Sequence, residues 1–290
     1  MELKIPPLPN TLGEVLQIMS AESPTGSVDR LVALIRRDPA TSIYVLRRIN
    51  SPYHGVRRYI SQLDQAVVLL GFKRVCNLVL AATLKQTFAY LESTAACNIY
   101  EHVMQMSLAT AAFARDLAAH LRLPFSETAF TAGLLHQLGR LVFLQSASQT
   151  YTSLWYQPAP DTGQLTFTPP TPTREEDVFN TTYPRLGAAV MKQWSFPKEL
   201  IVVTGSVLHP SQVIDGQTRR LTLTVAAGNA LAAPLFNTNG KDAPAAFPQL
   251  PISVMALARD SHLDVQALAG FLAERRAVVR EFAETVFKDM

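Results

Sequence analysis

Apolar residues recur every three or four positions along most of the chain, which is the spacing of an α-helix with a buried face. No run shows the strict alternation of a half-buried strand, and Leu165–Thr168 could at most form a short strand. The pattern predicts an all-α fold of packed helices. The predicted helices span residues 10–19, 28–38, 39–49, 61–71, 72–91, 99–121, 126–145, 175–194, 197–208, 219–233, 253–259 and 265–287.

Capping residues mark several of the helix ends. Asp38 directly precedes Pro39, so Asp38 is predicted to cap the third helix and Pro39 to be its first residue. Ser61, followed three residues later by Asp64, resembles a capping box for the next helix. Gly71 is predicted to end that helix, because glycine readily adopts the conformation that a helix end requires.

One histidine, His136, lies within the apolar run Ala129–Gln145. Helical spacing places it on the buried stripe of a single continuous helix that begins near Ser126. A buried imidazole must form hydrogen bonds or ligate a metal, because leaving it unpaired away from water is costly. The spacing leaves two alternatives open, a core residue with satisfied hydrogen bonds or a ligand.

Two proline-rich connectors divide the chain into parts. Residues 157–173 hold five of the 19 prolines and no helical period, so we expect a loop or lid there, and residues 236–251 form a second connector. We expect an amino-terminal helical bundle over residues 1–95, centred on the almost wholly apolar helix from Phe72. We expect a second helical bundle over residues 96–235, and a connector with carboxy-terminal helices over residues 236–290 packing on the same unit.

The last predicted helix carries an apolar stripe from Leu268 to Val286, which needs a partner surface. Either the helix packs on its own domain, or it mediates a homodimer or docking to another protein. The sequence leaves both alternatives open.

Composition indicates an ordinary globular protein with a sizeable core, since 48% of the 290 residues are hydrophobic and 17% are charged. No apolar stretch approaches the roughly 18 residues of a membrane span. The amino terminus has no apolar core of signal-peptide length, so we expect a cytoplasmic protein. Cys76 and Cys97 are read as small buried residues rather than a disulfide framework.

The net charge of +3 is unevenly distributed, because residues 1–95 carry 11 Lys and Arg against 7 Asp and Glu. The basic pairs in this third are either an ordinary solvated face or a surface for an acidic partner or nucleic acid. The sequence contains no GxSxG, HExxH, CxxC or Walker motif, so it shows no independent sign of these catalytic arrangements.

The run around His136 resembles the signature helix of HD-superfamily phosphohydrolases, in which a His-Asp pair in LLHDxG holds a metal. Here the pair is His136-Gln137. Further motifs are PPLP at Pro6–Pro9, Asp38-Pro39-Ala40 with Val45-Leu46 and Ile49-Asn50-Ser51, Ile60–Gly71, Ala132–His136 with Gly139-Arg140, and Leu186-Gly187 with Trp194 and Phe196-Pro197. In order and spacing they resemble the HDOD family of HD-related output domains, a bacterial signalling module, as far as about Ala233.

The resemblance implies a two-lobed fold, in which an amino-terminal helical bundle packs on a degenerate HD-type bundle. It also implies the positions that would ligate metal in a hydrolase, which are Met106, His136, Gln137, Tyr183, Leu208, His209 and Asn229. This remnant of the HD site keeps two imidazoles and no carboxylate, whereas metal-dependent phosphohydrolysis uses several imidazoles and at least one or two carboxylates. We therefore expect no catalytic residue, no metal and no cofactor.

The function implied is that of a non-catalytic signal-transduction or regulatory protein, related to response regulators, which acts through protein-protein interaction. One alternative is a metal-dependent phosphohydrolase of nucleotides or cyclic dinucleotides, with His102 substituting for Met106 one helical turn away. A second is a sensor that binds a nucleotide or metabolite in the vacated pocket, covered by the 157–173 loop. If the protein is non-catalytic, His136 is structural, and we expect its ring to form hydrogen bonds to Gln137, Tyr183 or His209.

Since the matched motifs begin close to the start of the chain, we expect the signal to pass to a separate molecule. The interaction surface predicted for an acidic protein partner consists of Arg47, Arg48, Arg57 and Arg58. Nucleic acid is a weaker candidate, because charge pairs without base-reading or stacking groups discriminate sequence poorly. The carboxy-terminal helix is the other predicted surface, with a homodimer as one outcome.

Overall fold

The computed structural model describes residues 3, 5–19, 24–51, 53, 59–158, 164–236, 250–261 and 264–288. The fold is all-α, as predicted. Its helices are α1 (Asn10–Met19), α2 (Pro24–Arg37), α3 (Pro39–Ile49), α4 (Leu63–Leu70), α5 (Phe72–Phe88), α6 (Cys97–His120), α7 (Ser126–Leu135), α8 (Leu138–Ser146), α9 (Ser148–Trp155), α10 (Pro172–Phe179), α11 (Tyr183–Gln193), α12 (Lys198–Ser206), α13 (Gly216–Phe236), α14 (Ile252–Asp260) and α15 (Val265–Lys288).

A two-stranded antiparallel hairpin interrupts the helices between α9 and α10. Strand β1 (Tyr156–Pro158) pairs with β2 (Leu165–Phe167), and Tyr156 lies opposite Phe167. The short strand that the sequence allowed within the 157–173 connector is therefore present. No helix in the described part of the chain combines the length and the apolarity needed to cross a bilayer.

Helix α5 is the centre of the first lobe, as its apolar sequence predicted. It contacts α1, α2, α3 and α4, and every side chain from Val75 to Lys85 is buried. A helix that is apolar all round is stable only when other helices cover each of its faces. This arrangement explains why the first lobe folds around α5.

Helix α6 has the same role in the second lobe, where it packs against α7, α13 and α15. Two glycines allow the backbones to approach closely. A β-carbon on Gly133 would lie 2.7 Å from the Ala111 α-carbon, and one on Gly228 would lie 2.7 Å from the Thr110 carbonyl oxygen. Side chains at these positions would force α7 and α13 away from α6, because close-packed interiors leave no room for extra atoms.

The predicted cap at Asp38 is confirmed, whereas the predicted capping box at Ser61 is wrong. The Asp38 carboxylate accepts hydrogen bonds from the backbone amides of Ala40 and Thr41, and these bonds lower its pKa together with a larger contribution from the Thr41 hydroxyl. Helix α4 instead begins after Gln62 without a side-chain cap. Asp64 pairs with Arg36 at 2.7 Å, and this long-range contact is invisible to a local motif.

The run expected to form one helix around His136 is broken into α7 and α8. The break falls at His136 and Gln137, and the imidazole Nδ1 lies 2.6 Å from the Gly133 carbonyl oxygen. A side chain that hydrogen-bonds to a helical carbonyl oxygen competes with the backbone amide that would otherwise bond to it. The break also brings Gly139 against α11, where a β-carbon would lie 2.0 Å from the Tyr183 carbonyl oxygen.

The apolar stripe of α15 is buried within its own chain. Leu272, Val279, Phe282 and Val286 are at most 3% exposed, and α15 packs along α6. The Phe282 ring also stacks on Tyr53 of the first lobe with 4.0 Å between ring centres. The helix therefore packs on its own chain, and a homodimer or a docked partner through its remaining surface stays a prediction.

The proline-rich start of the chain is tied to the second lobe. The Trp194 indole donates a hydrogen bond of 3.0 Å to the Pro6 carbonyl oxygen. On the other side, the Arg275 guanidinium on α15 bonds Asp116 on α6 at 2.7 Å. Such contacts hold distant segments of the chain around the two helical lobes.

Candidate functional site

The structure brings two of the predicted site residues, His136 and Asn229, into direct contact. His136 follows α7 and is fully buried, and Asn229 projects from α13. The imidazole Nε2 lies 3.1 Å from the Asn229 side-chain amide, and Nδ1 lies 2.6 Å from the Gly133 carbonyl oxygen. Both ring nitrogens are therefore hydrogen-bonded to neutral groups of the protein.

The charge state of His136 determines the direction of these hydrogen bonds. Burial lowers the pKa of the imidazole to about 4, so the ring is neutral at pH 7. A carbonyl only accepts, so Nδ1 carries the proton and donates to Gly133, which leaves Nε2 as an acceptor. The Asn229 atom placed nearest the ring is Oδ1, but an acceptor needs a donor, so we assign the amide the opposite orientation with its NH₂ group donating to Nε2.

The remaining predicted positions do not join this pair. Since both ring nitrogens of His136 are bonded elsewhere, the expected hydrogen bonds from Gln137, Tyr183 or His209 do not form. Met106, Gln137 and Tyr183 are buried in the surrounding core. Leu208 and His209 lie exposed after α12 and so are separated from the buried imidazole.

Beside His136 lies a buried ionic cluster that the sequence analysis missed. The Arg140 guanidinium bonds the Pro170 carbonyl oxygen at 3.2 Å and the Tyr151 hydroxyl at 3.3 Å. Its Nη1 is 3.8 Å from a Glu175 carboxylate oxygen, which also accepts a 2.8 Å hydrogen bond from Tyr151. Burial raises the pKa of Glu175, and the charge of Arg140 opposes that rise. A fixed guanidinium, with its carboxylate, thus occupies this part of the core.

Tyr183 joins the remnant site to this ionic cluster. Its ring lies under the Arg140 guanidinium at 4.3 Å, and its backbone amide donates a 2.7 Å hydrogen bond to Glu175. An aromatic face attracts a cation through its quadrupole. At a position where the HD pattern expects a histidine ligand, the chain therefore carries a residue that stabilises an arginine.

His102, the candidate substitute ligand, lies beneath the hairpin. Its ring makes edge-on contacts with Trp155 and Phe167, with 5.3 and 5.5 Å between ring centres. Burial lowers its pKa to about 4, and the charge of Arg140 contributes to that decrease. Since aromatic rings pack against it, this histidine forms part of the support for the hairpin.

The residues present do not fit a divalent metal. Within the described residues, no three His, Cys, Asp or Glu side chains are grouped closely enough to hold one. At the HD positions, His136 is the one buried imidazole, and the former carboxylate positions carry Gln137 and Asn229. Neutral donors leave the charge of Mg²⁺ or Mn²⁺ uncompensated, whereas these metals prefer carboxylate ligands.

Of the four arginines predicted to form a basic surface on the first lobe, the structure describes Arg47 and Arg48. Arg47 is exposed, but Arg48 is 2% exposed and its guanidinium lies 5.8 Å from the Tyr44 ring centre, so Arg48 is not a surface residue. Arg57 and Arg58 lie outside the described residues. Burial of one arginine of a pair follows from helical geometry, because adjacent residues point in different directions.

The HDOD domain model matches residues 5–209. The chain belongs to the HDOD family. None of the curated proteins matches it. The HDOD match covers both lobes up to the end of α12, whereas Asn229 and α15 lie beyond the matched range.

Solved structures share this fold. An HDOD domain protein of unknown function from Geobacter sulfurreducens is 18% identical with a TM-score of 0.74, covering 98% of this chain and 94% of that one. A candidate phosphohydrolase from Shewanella amazonensis SB2B is 20% identical with a TM-score of 0.66, covering 97% and 94%. A candidate signal transduction protein from Marinobacter aquaeolei VT8 is 21% identical with a TM-score of 0.67, covering 98% of this chain and 60% of that one.

Several residues of the HDOD motifs have structural roles in this chain. Asp38 caps α3, Pro6 accepts the hydrogen bond from Trp194, and Gly139 allows α8 to contact α11. These residues therefore fix the start of one helix and two contacts between distant segments of the chain.

Proposed function

We propose that this HDOD protein is a non-catalytic regulatory protein of bacterial signal transduction that acts by contacting other proteins. The observation that carries the proposal is the buried pair of His136 and Asn229, in which neutral groups occupy the positions of a metal ligand set. The Nε2 lone pair, which is the one a metal would use, accepts the hydrogen bond from Asn229, so a metal would have to displace that amide and would find no carboxylate at the neighbouring HD positions.

The surrounding charge supports the same conclusion. The Glu175 carboxylate of the buried ionic cluster is already engaged by Arg140, Tyr151 and the Tyr183 backbone amide. It is therefore not free to compensate the charge of a metal. Metal-dependent hydrolysis needs a cation that activates water and neutralises phosphate charge, and such a cation in turn needs carboxylate ligands.

A hydrolysis assay tests the proposal. The protein and a His136→Gln variant are incubated with Mn²⁺ or Mg²⁺ and a panel of phosphoesters that includes nucleotides and cyclic dinucleotides. We expect no turnover above that of the metal ions alone, and no difference between the two proteins. Turnover that disappears in the His136→Gln variant would establish the phosphohydrolase alternative and overturn the proposal.

A sensor function would need a route to the vacated site. His136 has no exposed surface, so a nucleotide can reach it only if the packed helices separate. We therefore expect nucleotides and cyclic dinucleotides to leave the melting temperature unchanged. A nucleotide-dependent increase in Tm that is lost in His136→Gln would favour the sensor.

A further inference from the structure

Three arginines of the first lobe are paired within the chain. Arg36 pairs with Asp64 at 2.7 Å, and Arg37 pairs with Glu14 at 2.7 Å. Arg74 bonds Glu127 at 2.8 Å. These three guanidiniums therefore already have a carboxylate partner.

A different surface concentrates arginines at the opposite end of the sequence. An open groove of about 790 Å³ lies between the start of α13 and the end of α14. Arg219, Arg220 and Arg259 line it, and Asp260 is the one carboxylate that lines it in the described part of the chain. Among the residues that line the groove, three guanidiniums therefore accompany one carboxylate.

Asp260 engages these arginines weakly. Its carboxylate is 4.0 Å from Arg219, whose side chain is 50% exposed, and its backbone oxygen accepts a 3.3 Å hydrogen bond from Arg220. An exposed ion pair at this distance contributes little to stability. The groove therefore keeps a net positive charge and guanidinium donors that a ligand can reach.

We infer that this groove, which we call the arginine groove and define by Arg219, Arg220 and Arg259, binds an acidic segment of a partner protein. The inference rests on the proposed function, since a non-catalytic regulator needs a surface that recognises its partner. Guanidinium groups bind carboxylates through two parallel hydrogen bonds, so three of them fit two or three closely spaced Asp or Glu side chains.

The shape of the groove favours a protein segment over nucleic acid. Nucleic-acid binding derives most of its affinity from several basic side chains that contact successive phosphates along the strand. The arginine groove is a local cluster, and the aromatic residue in its wall, Phe125, is 6% exposed and so has little ring surface on which a base could stack. Pro124 forms an apolar part of the same wall, which suits an aliphatic side chain between the acidic residues.

Fluorescence anisotropy tests this inference on the full chain. The probe is a fluorescein-labelled dodecapeptide in which three aspartates flank a leucine, compared with the same peptide carrying asparagines and with a labelled 12-nucleotide DNA strand. We expect the aspartate peptide to bind most tightly, and its binding to weaken when NaCl rises from 50 to 300 mM.

Two double variants locate the binding. Arg219→Gln with Arg259→Gln should weaken binding of the aspartate peptide by at least about tenfold, because two charged hydrogen-bond donors are lost. The matched control, Arg36→Gln with Arg185→Gln, removes the same charge from exposed residues elsewhere and should change binding less than about twofold. Thermal melts check that both variants remain folded.

Several results would overturn the inference. These are absence of peptide binding, equal binding of the aspartate and asparagine peptides, equal loss in the two double variants, or tighter binding of the DNA. None of them would affect the proposed non-catalytic function, which the hydrolysis assay tests separately. Conversely, metal-dependent turnover would overturn that function whatever the peptide result.

Discussion

Lowering the pH from 7 to 5 should destabilise the protein through His136. The ring has a pKa of about 4 in the folded chain, because it is buried. In the unfolded chain its pKa is about 6.5. Between these values the unfolded state binds more protons, so stability is fully present above about pH 6.5 and decreases until the pH falls below about 4.

The size of the effect follows from the two pKa values. At pH 7 the ring is neutral when folded and about three-quarters neutral when unfolded, whereas at pH 5 it is mostly neutral when folded and mostly charged when unfolded. The linkage relation gives a loss of roughly 2 kcal/mol in the free energy of unfolding between pH 7 and pH 5. His102, whose pKa is also lowered to about 4, should contribute a similar loss.

Urea unfolding at pH 7 and pH 5 measures this effect. The His136→Gln variant keeps His102 and every carboxylate, so its loss of stability between the two pH values should be smaller than that of the parent chain by roughly 2 kcal/mol. The absolute stability of the variant will differ, but the comparison uses only the change with pH. If both proteins lose the same free energy, His136 is not a buried neutral imidazole and the reasoning is refuted.

Two further predictions concern the packing around the site and are checked by urea unfolding. Gly139→Ala places a β-carbon 2.0 Å from a backbone oxygen and should cost more than about 3 kcal/mol, whereas Gly270→Ala, with no atom within 4 Å, should be neutral or slightly stabilising. Equal effects would contradict the close helix contact. Glu175→Gln leaves the buried Arg140 without its carboxylate and should cost roughly 3 to 5 kcal/mol, whereas the exposed control Glu176→Gln should change stability by less than about 0.5 kcal/mol. A mild effect at Glu175 would show that the cluster is not desolvated.

Local signals in the sequence predicted much of the helical framework. Asp38 before Pro39 predicted the start of α3 correctly, because a cap bonds amides only two or three residues away. Gly71 ends α4 with a positive φ of 89°, as a glycine at a helix end suggested. The apolar residues on almost every side of α5 predicted its central position, because a helix without a polar face is stable only when other helices surround it.

The break at His136 could not be predicted in the same way. The apolar period continues unbroken from Ala129 to Gln145, so local spacing favours one helix. The break accompanies the contact of Gly139 with α11, more than forty residues later in the chain, and local spacing carries no signal of that contact. The ionic cluster also joins residues that are distant in the sequence. Its one local signal is Arg140, four positions after His136 in the same apolar run, because a buried arginine needs a carboxylate partner.

The remnant site was located in the sequence by resemblance, and its contacts required the structure. Resemblance identified His136 and Asn229 as related positions, and the structure shows that they are hydrogen-bonded. It also suggested His209, which is exposed. Charge counting placed the basic surface on the first lobe, because sequence alone does not show which arginines are paired or buried.

Equilibrium dialysis with Mn²⁺ at pH 7.5 tests the central claim most directly, namely that the HD site of this chain cannot hold a catalytic metal. The untagged protein and its His136→Gln variant are dialysed side by side, so that weak binding at exposed residues such as His209 cancels. We expect the same Mn²⁺ content in both proteins. One equivalent of Mn²⁺ bound by the parent chain and absent from the variant would contradict it.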